Sequence, residues 1–236
     1  MLSGNNIPGV NGDYRLAATM VVFSHGFRVR RDSRGMINDL IAALPLKYGY
    51  VAFDYNHYST NGVVYATIAE QCETLATVLD WLAVQPLVLS VQLCAHSLGC
   101  MIVSKLGRGG MAKVLFLAPP LVIGDRIQDY FTHKPGAVQK GDKWDIPRSD
   151  GTRSLISIQL FENLASLDAT AALQSYAQLQ PYTIVKAGND EVVGDLEYQA
   201  ALPLLSGYEL IVGADHNFTE PSRQQLIELF CDYFLR

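Results

Sequence analysis

Charge is scarce in this sequence: 17% of residues are Asp, Glu, Lys or Arg, the net charge is −5, and no long run of one sign occurs. A nucleic-acid binder needs a basic stripe to neutralise phosphates, so that class is excluded. No uninterrupted apolar run reaches the roughly 18 residues of a membrane span. The polar start over 1–15, rich in Gly and Asn, lacks the basic-then-apolar order of a secretory signal. A soluble, cytoplasmic protein with no nucleic-acid or membrane partner is therefore expected. Cys72, Cys94, Cys100 and Cys231 make no C-x-x-C pair and have apolar neighbours. They read as reduced, buried thiols rather than a disulfide framework or metal site. No His, Cys and carboxylate groups gather at ligand spacing, so no metal is expected. There is no internal repeat and no low-complexity segment.

What is present is apolar and periodic. Hydrophobic residues make up 49% of the 236, enough for a well-buried core in one domain spanning 1–236. Strands are predicted at 20–24, 50–55, 87–95, 113–117, 182–186 and 208–212. Several are almost continuously apolar, as strands covered on both faces are. Helical patterns fall between them. Met36, Ile37, Leu40, Ile41 and Leu44 share one face, as do Ile68, Cys72, Leu75, Leu79 and Leu82. After Ser97, the residues Leu98, Met101, Ile102 and Leu106 repeat at helical spacing, and Gly107, Gly109 and Gly110 supply a stop. Thr219 is a candidate cap for a C-terminal helix that buries Leu226, Ile227, Phe230 and Phe234. This alternation predicts a mostly parallel sheet with helices on both faces.

The segment 121–180 breaks the rhythm and reads as a lid-like insertion. Within it Ser149-Asp150-Gly151-Thr152 carries a hairpin signal. Tyr130, Phe131, Trp144 and Phe161 alternate there with Arg126, Lys134, Lys140, Lys143, Arg148 and Arg153. That mixture lacks the broad apolar face that binding at a lipid surface requires. A soluble small-molecule substrate with a short or aromatic acyl group is expected.

The chemistry is carried by three loops. Ala95-His96-Ser97-Leu98-Gly99 joins a predicted strand to a predicted helix, where a sharp turn exposes the central serine and needs small residues two before and two after it. A serine hydroxyl barely ionises near neutral pH, so it needs a base. His216 follows the last predicted strand, and Asp190 follows the strand before it. The order Ser97, Asp190, His216 matches one of the known triad orders and not those of the chymotrypsin or subtilisin folds. Oxyanion N–H groups are expected from Leu98, beside the nucleophile, and from Phe27 in Ser24-His25-Gly26-Phe27.

Together these motifs resemble the α/β-hydrolase superfamily, from about residue 20 to the C-terminus, and within it small esterase-like and acyl-peptidase-like hydrolases. The resemblance implies a sheet of about six or more strands, a Ser97-His216-Asp190 triad and no cofactor. The N-terminal antiparallel strands of fuller members look missing or reduced. A carboxylesterase acting through an acyl-enzyme is the expectation. Thioester, amide or small-peptide cleavage are the enzymatic alternatives, and a non-catalytic binding protein on the same fold is the alternative outside enzymes. His96 is read as structural, His25 as a prop for the oxyanion loop, and Cys100 as core. His57 is read either as lining the pocket or as exposed on its loop. Glu191 and Asp215 are rival acids, though Asp215 adjoins His216 too closely to turn back onto its ring.

Overall fold

The computed structural model describes residues 7–123, 126–148, 151–194 and 198–236. Its first half runs through β1 (Gly12–Arg15), β2 (Thr19–Ser24), α1 (Met36–Ala43), β3 (Tyr48–Phe53), β4 (His57–Ser59), β5 (Gly62–Val64), α2 (Ile68–Ala83), β6 (Ser90–His96), α3 (Leu98–Leu106) and β7 (Val114–Leu117). Next come α4 (Arg126–Thr132), β8 (Val138–Lys140), β9 (Lys143–Pro147), β10 (Arg153–Ser157), α5 (Ile158–Ala165) and α6 (Ala169–Leu179). The chain closes with β11 (Thr183–Ala187), α7 (Tyr198–Ala201), β12 (Gly207–Ile211) and α8 (Ser222–Leu235).

All six predicted strands form, within a few residues of their expected limits, and they pair in parallel. The main sheet has the order β1-β3-β2-β6-β7-β11-β12. Among the described residues one antiparallel strand lies at its edge, β1 against β3, so the N-terminal antiparallel strands are reduced rather than missing. The chain departs from β2 to opposite sides, first to β3 and later to β6. At such a reversal the loops leaving the two carboxyl ends diverge and open a crevice. Ser24 and His96 end those two strands.

Each face of the sheet has its own core. On one side Leu75, Leu79, Met101, Ile102, Leu173 and Tyr176, from α2, α3 and α6, pack onto the sheet. On the other side Met36, Leu40, Leu226, Phe230 and Phe234, from α1 and α8, do so. Local signals set the helix ends. Thr67 and Glu70 form a reciprocal capping box at the start of α2, and Gly107, at φ 62°, closes α3. Thr219 does not cap α8, which starts three residues later after Pro221. Instead its N–H and hydroxyl both donate to Asp215, at 2.8 and 2.6 Å, and so tighten the preceding turn.

The segment 121–180 divides in two. Helix α6 packs against α3 and serves as the crossover from β7 to β11. The part before it supplies β8, β9 and β10 to a second sheet of order β4-β5-β10-β9-β8. Hence the hairpin from just after β3 is stapled to the insertion, a pairing that the sequence gives no sign of. The contact is close: a Cβ on Gly62, at φ 145°, would lie 1.9 Å from the Arg153 carbonyl oxygen. Asp145 fastens the hairpin by accepting from Lys140 at 2.7 Å and from Arg153. Of the hairpin signal, Ser149 and Asp150 lie outside the described residues, but the strands on either side pair antiparallel as expected. The side chains of Arg126 and Tyr130 also lie outside the description.

Candidate active site

Ser97 stands between β6 and α3 with φ 53° and ψ −124°, a conformation that residues with a Cβ adopt sparsely. Strain of this kind persists where the surroundings over-determine it. Here the Ser97 N–H donates to Leu117 O at 2.9 Å, and the Cys100 N–H donates to Ser97 O at 3.0 Å. Small neighbours are needed as well. A Cβ on Gly99 would lie 2.4 Å from Ser24 O, and one on Gly26 would lie 3.0 Å from the Ser97 Cβ. The elbow therefore packs directly onto the loop after β2.

The structure brings Ser97, His216 and Asp190 together. The Ser97 Oγ lies 2.9 Å from His216 Nε2, and His216 Nδ1 lies 2.8 Å from Asp190 Oδ2. The other Asp190 oxygen accepts the N–H groups of Val192 and Val193 at 2.9 and 2.8 Å, which fixes the carboxylate plane. Two loops from neighbouring strands are zipped to make this possible. Gly188 N–H donates to Ile211 O at 3.0 Å, and Asn189 N–H to Ala214 O at 2.8 Å. The rival acids take other work. Glu191 accepts the backbone N–H of His216 at 3.0 Å, and Asp215 is engaged with Thr219.

Two buried histidines position this machinery. His25 Nε2 accepts the Tyr55 N–H at 3.1 Å, which leaves the proton on Nδ1 to donate to Gly26 O at 2.8 Å. Gly26 C=O and Phe27 N–H belong to one planar peptide unit, so holding the oxygen aims the N–H the opposite way. Neither the Phe27 N–H nor the Leu98 N–H has an acceptor among the described residues. His96 Nε2–H donates to His216 O at 2.9 Å, and its ring lies 5.0 Å from the His216 ring. Burial, reinforced by His216, pushes its pKa down to about 3, so this imidazole is neutral at working pH. Its Nδ1 is buried without a partner among the described residues.

The other residues singled out in the sequence lie as follows. His57 is exposed, on β4. Cys100 is buried with its thiol near Ala95 O, and burial holds its pKa well above the usual thiol range, so it is no nucleophile. Cys94 is buried as expected, whereas Cys72 and Cys231 are only partly so; all four thiols are free. Sequence reasoning missed an aromatic cluster beside the oxyanion loop. The Phe27 ring lies 5.3 Å from Tyr65 and 5.7 Å from Phe131, and Phe131 lies 6.3 Å from Phe161. No local signal could have joined residues so distant in the chain. Among the described residues no group of His, Cys and carboxylates could hold a metal ion.

No protein-family model and no curated protein sequence matches the chain. Solved structures do match, at full length and low identity. Est1E of Butyrivibrio proteoclasticus with ferulic acid bound is 15% identical, with a TM-score of 0.74, over 98% of this chain and 96% of that one. The α/β hydrolase GrgF of Penicillium sp. sh18 is 13% identical, with a TM-score of 0.67, over 96% and 95% of the two chains. The monoacylglycerol lipase of Paleococcus ferrophilus is 14% identical, with a TM-score of 0.65, over 95% and 99%. The chain has the α/β-hydrolase fold. Its structural neighbours include esterases, a lipase and a non-heme bromoperoxidase of that fold, and no helix among the described residues is long and apolar enough to cross a membrane.

Proposed function

We propose that this protein is a serine hydrolase, a carboxylesterase in type, that cleaves an ester or related acyl bond through an acyl-enzyme. The reading is carried by the continuous hydrogen-bonded chain from the Ser97 Oγ through His216 to Asp190, at 2.9 and 2.8 Å. His216 Nε2 takes the hydroxyl proton as Oγ attacks the carbonyl carbon, and returns it to the departing alkoxide. It then takes a proton from water, whose oxygen attacks the acyl carbon, and returns that proton to the Ser97 Oγ as the acid leaves. Asp190 keeps the proton on Nδ1 and offsets the imidazolium charge. The N–H groups of Phe27 and Leu98 stabilise the tetrahedral oxyanion, the latter helped by the α3 N-terminus. These steps draw only on the chain's own groups and water.

The substrate we infer is a soluble small ester with a short or aromatic acyl group. Phe27, Tyr65, Phe131 and Phe161 supply an apolar wall beside the oxyanion loop, and ferulic acid, the compound bound to Est1E, is itself an aromatic acid. The lid role is proposed for the part of 121–180 that precedes α6, because Phe131 of α4 meets Phe27 there. Four free thiols favour the reducing cytoplasm as its compartment.

The test is covalent labelling by a fluorophosphonate, alongside turnover of a panel of 4-nitrophenyl esters. Ser97→Ala should abolish label and nearly all turnover while the fold is kept. Asp190→Asn should cost several orders of magnitude and Glu191→Gln far less, since Glu191 bonds the His216 backbone and not its ring. Label retained by Ser97→Ala would refute the nucleophile, and the reverse ranking would move the acid to Glu191.

A further inference from the structure

Arg28 is a half-buried arginine that no acceptor among the described residues answers. Arg15, Arg31, Arg108, Arg153 and Arg223 each donate to a carboxylate or a backbone carbonyl. Arg28 makes no hydrogen bond or ion pair among the described residues, and its Nε is buried without a partner. The contact it does make is with a ring: its guanidinium carbon lies 4.6 Å from the centroid of Phe131, the residue that also meets Phe27. Its backbone is unusual too. At φ 63° Arg28 occupies the left-handed region, which long side chains seldom adopt and which clusters at ligand clamps.

Its place in the chain makes the free cation informative. Gly26 touches the Ser97 side chain, and Phe27 offers the oxyanion N–H proposed above. The Cα of Arg28 lies two residues beyond Gly26, at most about 7.6 Å from it. From that anchorage an arginine side chain is long enough to meet groups a few bonds from a carbonyl held at Ser97. A guanidinium offers a planar fork of donors that matches the two oxygens of a carboxylate. Arg28 itself carries one positive charge, which a carboxylate balances more closely than the nearly doubly charged phosphate group does.

We propose that Arg28 is an anion subsite, and that the natural substrate is an ester bearing a carboxylate a few bonds from the scissile carbonyl. This rests on the serine-hydrolase reading. The ring of Phe131 forms the floor of the subsite, and the apolar part of the substrate lies along Phe27 and Tyr65. Attack, proton transfer and release proceed as above; Arg28 contributes position and charge balance, not a bond-making step.

Two matched ester pairs test the proposal through kcat/KM. The acyl-side pair is mono-4-nitrophenyl terephthalate and its methyl ester; the alcohol-side pair is 4-carboxyphenyl butyrate and its methyl ester. In at least one pair the free acid should be favoured about tenfold or more, the scale of a charge-assisted hydrogen bond. Arg28→Gln should bring that ratio close to one, and Arg28→Lys should restore part of it. A ratio near one in both pairs for the unaltered protein overturns the subsite, as does a preference that survives in Arg28→Gln. Should Arg28→Gln fail to fold, the ratios of the unaltered protein and of Arg28→Lys decide. Calorimetric binding of monomethyl terephthalate reads the subsite without turnover: affinity lost in Arg28→Gln supports it, and affinity equal in both proteins refutes it. Failure of fluorophosphonate labelling is a separate result, and counts against the hydrolase reading alone.

Discussion

His96 carries a cost at the residue scale that the fold accepts for the sake of position. Its Nε2–H bond to His216 O sets the peptide from which the proposed base projects, while its own Nδ1 is buried without a partner among the described residues. The neighbours that act on its charge are His216, Asp190 and His25. Burial holds the folded pKa near 3, whereas an unfolded histidine titrates at its ordinary 6.5. The unfolded chain therefore binds the proton first as pH falls. Stability is full above about pH 6.5 and declines as pH drops from there toward about 3. His25, also depressed by burial, adds to the same slope. His96→Gln removes one titrating group, so melting temperature plotted against pH should fall less steeply across that window. An unchanged slope would show that His96 is charged in the folded state or does not contribute to the loss.

Among the elements, the pairing of β5 with β10 ties the segment before α2 to the proposed lid. Gly62 permits it, since any Cβ there would overlap the Arg153 carbonyl oxygen, and its φ of 145° is itself hostile to side chains. Gly62→Ala should part the two strands. The seven-stranded sheet shares no hydrogen-bonded pairing with this joint, so far-UV dichroism should be nearly unchanged. Proteolysis within 136–157 should speed up about tenfold or more, as expected for a local opening made ~1.4 kcal/mol easier. If that segment covers the site, preference among larger 4-nitrophenyl esters should shift while the acetate is still cleaved. Unaltered proteolysis together with unaltered preference would remove the segment from any lid role.

On the scale of the whole molecule, the two cores share one sheet, and this should make them fail together. Phe116, on the α3 side, stacks on Tyr176 at 5.9 Å; Phe230, on the α8 side, stacks on Phe23 at 5.9 Å. Both rings are fully buried. Phe116→Ala and Phe230→Ala should each cost about 3–5 kcal/mol. Because Val21, Phe23 and Leu115 on one face alternate with Met20, Val22 and Phe116 on the other, loosening one core strains the strands that build the other. Urea unfolding followed by tryptophan fluorescence and by far-UV dichroism should give coincident transitions in each variant. Separated transitions would show two independent units.

Whatever is encoded over a few neighbouring residues can be read along the chain. Strand and helix periods place the six parallel strands and their crossovers, because burying an apolar face needs only the right spacing along the chain. The Ala95–Gly99 turn and the chain order of Ser97, Asp190 and His216 were legible for the same reason: each lies at the end of its own locally readable strand. Only the tertiary structure turns Asp190 toward the imidazole and the adjacent carboxylate, Glu191, toward the His216 backbone. It alone paired β5 with β10, moved Thr219 from helix cap to turn, and set Arg28 over Phe131. Such contacts join segments far apart in the chain. Their partners are chosen by how loops close over the sheet and by which polar groups would otherwise be buried unanswered, and no local pattern records either.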